Sequence, residues 1–415
     1  MVTEATIPKG YKQTEVGVIP EDWDVEPLER CGEVVMGQSP PGSTYNKNGG
    51  GIALINGPTE FTDKCPVRIQ WTTDPRRFCQ KGDLLICVRG SSTGRTNYAD
   101  DIYSIGRGVA AIRANKNNDT AYLSNQIIIA VSRILAASTG STFPSVDGDT
   151  FRNLAMPLPP TKDEQTAIAE ALSDADELID SLDKLIAKKR NLKQAAMQQL
   201  LTGKTRLSGF TGEWEEKTLG DHVEFLRNGT NSRAELTIDD PVKYLHYGDI
   251  HACNNVRLCP DDLPSLSSSK AKTLDRLCDG DLIFADASED LDGVGKSVEI
   301  TGVLDTECVS GLHTIAARFD KDVLADGFKG YLQFCPEFIS QLRRLAAGTK
   351  VYATNRSHIA GIEMHLPDTT EQTAIAEVLS DMDSDIEALE ERRDKAQLLK
   401  QGMMQQLLTG RIRLV

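Results

Sequence analysis

Three features of this 415-residue chain place reactive residue types at spacings where they could do chemistry. Gly-Val-Gly-Lys-Ser at 293–297 looks like the close of a phosphate-cradling loop. Such a loop needs a leading glycine five residues before Gly295, and that position is Asp290, so the pattern fails. Asp286, Glu289, Asp290 and Asp292 form a carboxylate cluster of the kind that holds a divalent cation. The aligned loop of the first half, Arg89–Thr96, has no counterpart, and a charge run of this sort reads as a solvated acidic loop. Nine cysteines include no CxxC pair, and six histidines show no HExxH spacing, so neither a disulfide framework nor a zinc site is expected. The thiols read as reduced and packed.

The absences are equally informative. No glycine-rich cofactor loop follows a strand, no Asn-Pro-Pro-aromatic methylation motif occurs, and no nucleophile is paired with a base. The chain reads as non-catalytic. What remains is a pair of turns, SSTGRT at 91–96 and GVGKS at 293–297, that share a glycine followed by a cation and a hydroxyl. Each is either a turn that meets a backbone phosphate or a plain surface turn.

The elements that must position these turns are written twice. Glu164–Leu207 and Glu371–Leu414 match at 26 of 44 positions with a constant offset of 207 and no insertion. Each half of the chain therefore has a variable front and a near-identical back. Ile168, Leu172, Ala175, Ile179, Leu182 and Ile186 follow a 4,3 spacing, as do Ile375, Leu379, Met382, Ile386 and Leu389. That is a heptad seam, and it predicts that the two helices pair within one chain. Lys189, Lys193, Arg393 and Lys400 fall on the seam; they either fix its register or face another subunit. Each helix begins after a proline, with Thr161 or Asp163 and Asp368 or Thr369 available as caps, and Gly203 and Gly410 placed as stops. At ~1.5 Å per residue, 38 residues make a rod of about 57 Å.

The fronts are cousins. Each opens near a tryptophan, Trp23 or Trp214. Each carries a Gly-Asp-Leu strand (KGDLLICVRG at 81–90, DGDLIFADAS at 279–288) and closes on a polar loop (138–151, 346–359). Short strands dominate, with helices expected at Tyr122–Ala137 and Gly327–Ala347, so each front reads as a mixed α+β domain. The segmentation is 1–160 and 208–367 for the fronts, and 161–207 and 368–415 for the helices.

Composition is that of a globular protein, with 40% hydrophobic and 26% charged residues. No apolar run is of membrane-spanning length and the N-terminus is polar, so no membrane contact and a cytoplasmic location are expected. Net charge is −15. The first front holds 16 basic and 17 acidic side chains (−1), the second 16 and 26 (−10). A protein this acidic that touches nucleic acid needs local cationic patches or a basic partner.

The order of front, helix, front, helix resembles the specificity subunits of type I restriction-modification systems. The motifs that carry the resemblance are YKQTEVGVIPEDWDV at 11–25, KGDLLICVRGSSTGR at 81–95 and the PLPP-x3-EQ helix start within 141–172. In the second half they are WEEKTLGDHV at 214–223, YLHYGDI at 244–250 and the closing EQTAIAEVL…MQQLLTGRIRL. The second front departs by lacking the Arg-Gly-x-x-x-Gly loop and by having Tyr352-Ala-Thr where the first has Phe143-Pro-Ser.

The resemblance implies two target recognition domains, each reading half of a bipartite asymmetric site in double-stranded DNA. It implies an antiparallel coiled coil between them that sets the spacer. Two modification (methyltransferase) subunits would dock on that scaffold, joined by restriction subunits that translocate and cut. This chain would bind no cofactor; S-adenosylmethionine, ATP and Mg would belong to the partners. The implied DNA contacts in the first front are Gln38, Ser39, Arg89, Ser91, Ser92, Arg95, Ser141 and Thr142. In the second they are Arg227, Asn228, Asn231, Arg233, Tyr247, Lys296, Lys350, Tyr352, Asn355 and Arg356. Three other readings are a coiled-coil scaffold that binds no DNA, a subunit of a methylation-only or type IIB-like system, and an autonomous DNA enzyme, which the missing motifs oppose.

Overall fold

Two unbroken apolar runs, Leu84–Cys87 (LLIC) and Leu282–Ala285 (LIFA), are buried at every position. Side chains alternate across a strand, so such a run belongs to a sheet covered on both faces. The computed structural model describes residues 7–62, 64–137, 146–291, 293–303, 306–345 and 352–414. The chain divides into two compact units, Met1–Leu182 with Arg392–Val415, and Asp183–Glu391.

In the first unit an antiparallel sheet orders Thr96–Tyr98, Leu84–Cys87, Val109–Ala114 and Gly32–Met36. One face packs through Leu84, Ile86 and Ile112 onto Leu123, Ile127 and Val131 of the helix Thr120–Ala137. The other packs through Leu85, Cys87 and Ala111 onto a sheet of five shorter strands, smaller in extent, that includes Ile52–Ile55 and the parallel Tyr103–Ile105.

The second unit repeats this plan. Val223–Phe225, Thr314–Phe319, Leu282–Ala285 and Ser297–Ile300 form the larger sheet, edged by Arg257–Leu258. Ser265–Leu266, Val242–Leu245 and the parallel Cys308–Ser310 form the smaller one. The expected helix over Gly327–Ala347 is shorter here. A 3-10 segment Lys329–Phe334 precedes an α-helix Pro336–Leu345, because Pro336 has no N–H to continue the earlier turn.

The Gly-Asp-Leu motif has one physical explanation in both units. Gly82 (φ +91°) and Gly280 (φ +88°) turn the chain in a left-handed conformation. The next residue, Asp83 or Asp281, accepts the backbone N–H of Gln80 or Cys278 at 2.8 Å. It then takes a two-pronged bond from the neighbouring strand. Arg113 donates to Asp83 at 2.8 and 2.8 Å, and Arg318 to Asp281 at 2.8 and 2.7 Å. Both carboxylates are buried, and this fork satisfies them.

The repeated segments are long helices, Lys162–Leu200 and Thr369–Leu407. Thr161 and Asp368 are the caps, accepting the N–H of Glu164 at 3.2 Å and of Glu371 at 2.9 Å. Gly203 (φ +64°) and Gly410 (φ +67°) are the left-handed stops. Every seam position from Ile168 to Leu200 and from Ile375 to Leu407 is buried or half-buried.

Ion pairs fix the direction of pairing inside each unit. In the second, Lys189 meets Asp385 (2.7 Å), Arg190 meets Glu390 (2.5 Å), Lys193 meets Asp383 and Arg206 meets Glu371. In the first, Lys400 meets Asp176 (2.6 Å) and Arg413 meets Glu164 (2.7 Å). From Lys189 through Lys193 to Arg206 the partners fall from Asp385 through Asp383 to Glu371, and from Lys400 to Arg413 they fall from Asp176 to Glu164, so both units hold the helices antiparallel. Lys189, Lys193 and Lys400 therefore set the register.

Each helix start also docks on its own front. Ile168 and Leu172 share a core with Trp23, Tyr122, Leu407 and Leu408. Ile375 and Leu379 share one with Leu200, Leu201, Phe328 and Tyr331. The repeated Glu-Gln divides the work between these contacts. Glu164 and Glu371 are buried and accept the arginine that follows the glycine stop of the opposite helix. Gln165 and Gln372 face the front, accepting the N–H of Asp119 (2.8 Å) and Ala325 (2.9 Å). Each arginine also covers a tryptophan ring, Arg413 over Trp23 and Arg206 over Trp214, both at 5.8 Å.

Arg206→Ala strands the buried Glu371 carboxylate and is expected to destabilise the protein, read as a lower urea midpoint by circular dichroism. Glu371→Gln should cost less, since an amide needs no countercharge. An unchanged midpoint for Arg206→Ala would remove the pair from any structural role. Gly410→Ala should cost at least ~1 kcal/mol from the left-handed backbone alone. The added methyl would also sit 2.6 Å from Pro20, so a thermal midpoint equal to wild type would contradict this geometry.

Candidate nucleic-acid interface

In the first unit, hydrogen bonds gather several loops at one end of the larger sheet. Gly37 donates to Val109 O (2.9 Å), Gln38 to Ile105 O (2.9 Å), Val88 to Gly108 O (2.9 Å) and Val146 to Val88 O (3.0 Å). Gln38, Ser39, Arg89, Ser91 and Ser92 therefore share one surface. Gln38, Arg89 and Ser91 are exposed, and Ser39 and Ser92 are half-buried. Ser39 Oγ accepts the backbone N–H of Arg107 at 3.3 Å. Arg95 is turned elsewhere and donates to Phe61 O at 3.0 Å. Ser141 and Thr142 lie outside the described residues.

Equivalent loops gather in the second unit. Gly229 donates to Ser310 O (2.8 Å), Asp286 to His313 O (3.1 Å), Thr354 to Asp286 O (2.8 Å) and Tyr247 to Leu312 O (3.3 Å). Arg227 is exposed, its backbone N–H held by Asp275 at 2.7 Å. Tyr352 is half-buried on the short strand that pairs with Ala287–Ser288. Tyr247 packs edge-on to His251 (6.1 Å) and His313 (5.5 Å). His246 lies beside it at 4.6 Å. Burial, aided by Arg233, pushes the His246 imidazole below its usual pKa. Its Nδ1 then stays free to accept the Gly248 N–H at 3.3 Å.

Several candidates of the second front are engaged by the protein itself. Lys296 donates to His251 O at 2.7 Å. Asn355 caps the turn at Arg356, accepting from His358 N (2.9 Å) and Ser357 Oγ (2.6 Å). Arg356 donates to Leu226 O (2.5 Å) and to Asn228 (3.3 Å), over the Phe225 ring. Arg233 pairs with Asp249 at 2.7 Å, and Asn231 donates to Glu235 at 3.0 Å. Lys270, with Ser232 N and Asn231, holds the Glu235 carboxyl down to about 2. Lys350 lies outside the described residues.

The carboxylate cluster is a set of local turns. Asp290 accepts the Gly293 N–H at 2.7 Å and Asp286 faces His313 at 3.2 Å. Asp292 lies outside the described residues, among which no trio of His, Cys, Asp or Glu gathers as a metal site. No described helix is long and apolar enough to cross a membrane.

Sequence reading missed Arg107, His251 and His313. The sequence signal for Arg107 was its placement between Gly106 and Gly108, just ahead of a strand.

These contacts separate two groups of cations. Arg356→Ala should lower stability by about 1 kcal/mol, because it removes a charged bond that ties two segments. Arg89→Ala should change it by less than ~0.5 kcal/mol. Thermal unfolding of both variants checks this, and an equal loss for Arg89→Ala would show it to be structural.

A family model for the type I restriction modification DNA specificity domain matches residues 20–189. The putative type I restriction enzyme MjaX specificity subunit of Methanocaldococcus jannaschii is 36% identical over 202 residues. That match spans about half of each chain, 48% of this one and 47% of the other. The MjaVIII specificity subunit of the same organism is 25% identical over 417 residues, 98% of this chain and 96% of that one. Among solved structures, the S subunit of the type I system from M. genitalium superposes with a TM-score of 0.58 at 15% identity, covering 93% and 96%. A chain from a study of type I complex assembly and conformational transition reaches 0.60 at 16%, covering 95% and 99%. The structural likeness shows the same mixed α+β fold, and the sequence matches show that this chain is similar to the specificity subunits of type I restriction-modification systems.

Proposed function

We propose that this chain is the sequence-reading subunit of a DNA methyltransferase and restriction complex. Each front reads one half of a bipartite, asymmetric site in double-stranded DNA. One observation supports this most. The two units share topology, Asp–Arg fork and helix clasp, yet differ at the loop ends where polar side chains are presented. Sequence readout needs such variable polar groups on a fixed frame. The first unit offers Gln38, Arg89 and Ser91 there, and the second Arg227, Tyr247 and His313.

The paired helices set the gap between half-sites and dock two modification subunits. Restriction subunits join them, and S-adenosylmethionine, ATP and Mg are held by these partners, in the cytoplasm. This chain itself does no chemistry. Its net charge of −15 is offset in the complex by cationic partner surfaces that grip the phosphates.

Replacing residues 1–160 by the front of one of these similar specificity subunits tests the reading. The methylated sequence is expected to change in one half-site and to keep the other half-site and the gap. A change in both halves, or in neither, would overturn it.

A further inference from the structure

The turn that crosses from the smaller sheet to an inner strand of the larger one occupies the same place in both units. In the first it joins Tyr103–Ile105 to Val109–Ala114, and in the second Cys308–Ser310 to Thr314–Phe319. Both turns are wedged against their surroundings. A methyl on Gly106 would lie 2.0 Å from the Asn56 side chain, and one on Gly108 2.4 Å from Asn56 O. A methyl on Gly311 would lie 2.4 Å from the Tyr244 ring and 2.6 Å from Leu245 O. Each turn leaves one large polar side chain exposed, Arg107 or His313.

Their chemistry suits base edges. Ser39 holds the backbone of Arg107, and the guanidinium has no hydrogen-bond or ion-pair partner among the described residues. A free planar fork matches the O6 and N7 acceptors of guanine. His313 has φ +58°, the left-handed region, and no other described non-glycine residue has a positive φ. Such strain persists where the surroundings enforce it, and it clusters at binding sites. Asp286 Oδ1 lies 3.2 Å from Nδ1, and the Tyr247 ring supports the imidazole edge-on. In the neutral imidazole, an Nδ1–H donated to that carboxylate leaves Nε2 as an acceptor. An acceptor selects the amino group of adenine N6 or cytosine N4 in the major groove.

We propose that Arg107 and His313 are specificity-determining residues, one for each half-site. Arg107 reads a guanine in the first, and His313 reads an amino-bearing base in the second. This rests on the DNA-reading function proposed above.

The test is selection from randomised DNA duplexes by the full chain assembled with its modification subunits, comparing wild type with Arg107→Ala, Arg107→Lys and His313→Gly. The glycine retains the left-handed turn, so the fold is kept, and Arg107 is exposed. Each variant is expected to lose roughly ten- to a hundredfold preference at one base pair of its own half-site, with the other half-site unchanged. Arg107→Lys should relax that position while keeping affinity, because it retains charge and loses the fork. If the variants select the wild-type sequence, or bind more weakly at every sequence alike, the assignment is overturned. If the wild-type complex selects no sequence, the parent reading falls instead.

Discussion

The structure depends on a buried pair made twice: the arginine that follows the glycine stop of each long helix bonds a glutamate in the first turn of the other. Arg413 meets Glu164 and Arg206 meets Glu371. Both glutamates are almost fully buried, so each must have a partner. A buried ion pair adds little net stability over well-packed apolar groups, but an unpaired one is costly. Its effect here is therefore selection of register. A one-heptad slip would keep the apolar seam apolar and leave both glutamates stranded. Lys193–Asp383 and Lys400–Asp176, which occupy equivalent places in the two repeats, reinforce the same choice.

That constraint explains why the backs of the two halves are nearly identical while the fronts diverge. The helix segments must satisfy each other reciprocally, residue for residue. The fronts need to retain only what builds the frame: the buried Asp–Arg fork, the left-handed glycine ahead of it, and apolar strands covered on both faces. Loop tips carry none of these duties and can vary, which suits the proposed pair of DNA readers. The nine-unit difference in charge between the fronts falls on the same divergent segments.

Much of the frame was legible in the sequence. The heptad spacing, the prolines before each helix and the glycines after it mark both long helices, because their causes are local. The fork is visible only as a repeated Gly-Asp-Leu; its arginines lie 30 and 37 residues away, and distance in sequence hides them. The candidate surface was harder to read. Arg95, Lys296 and Arg356 look like free cations in the sequence, yet each is turned onto a backbone carbonyl that no pattern reveals. Conversely, His313 gains its place from a tertiary turn and from Asp286, 27 residues earlier.

In the function proposed above, one chain carries two unlike readers, each built on a copy of the same frame. Single-molecule sequencing of host DNA for methylated adenine, with the gene present and deleted, tests it most directly. The expected result is a motif of two different half-sites separated by a gap of fixed length, lost on deletion. A single continuous or palindromic motif, or a methylation pattern indifferent to the deletion, would contradict it.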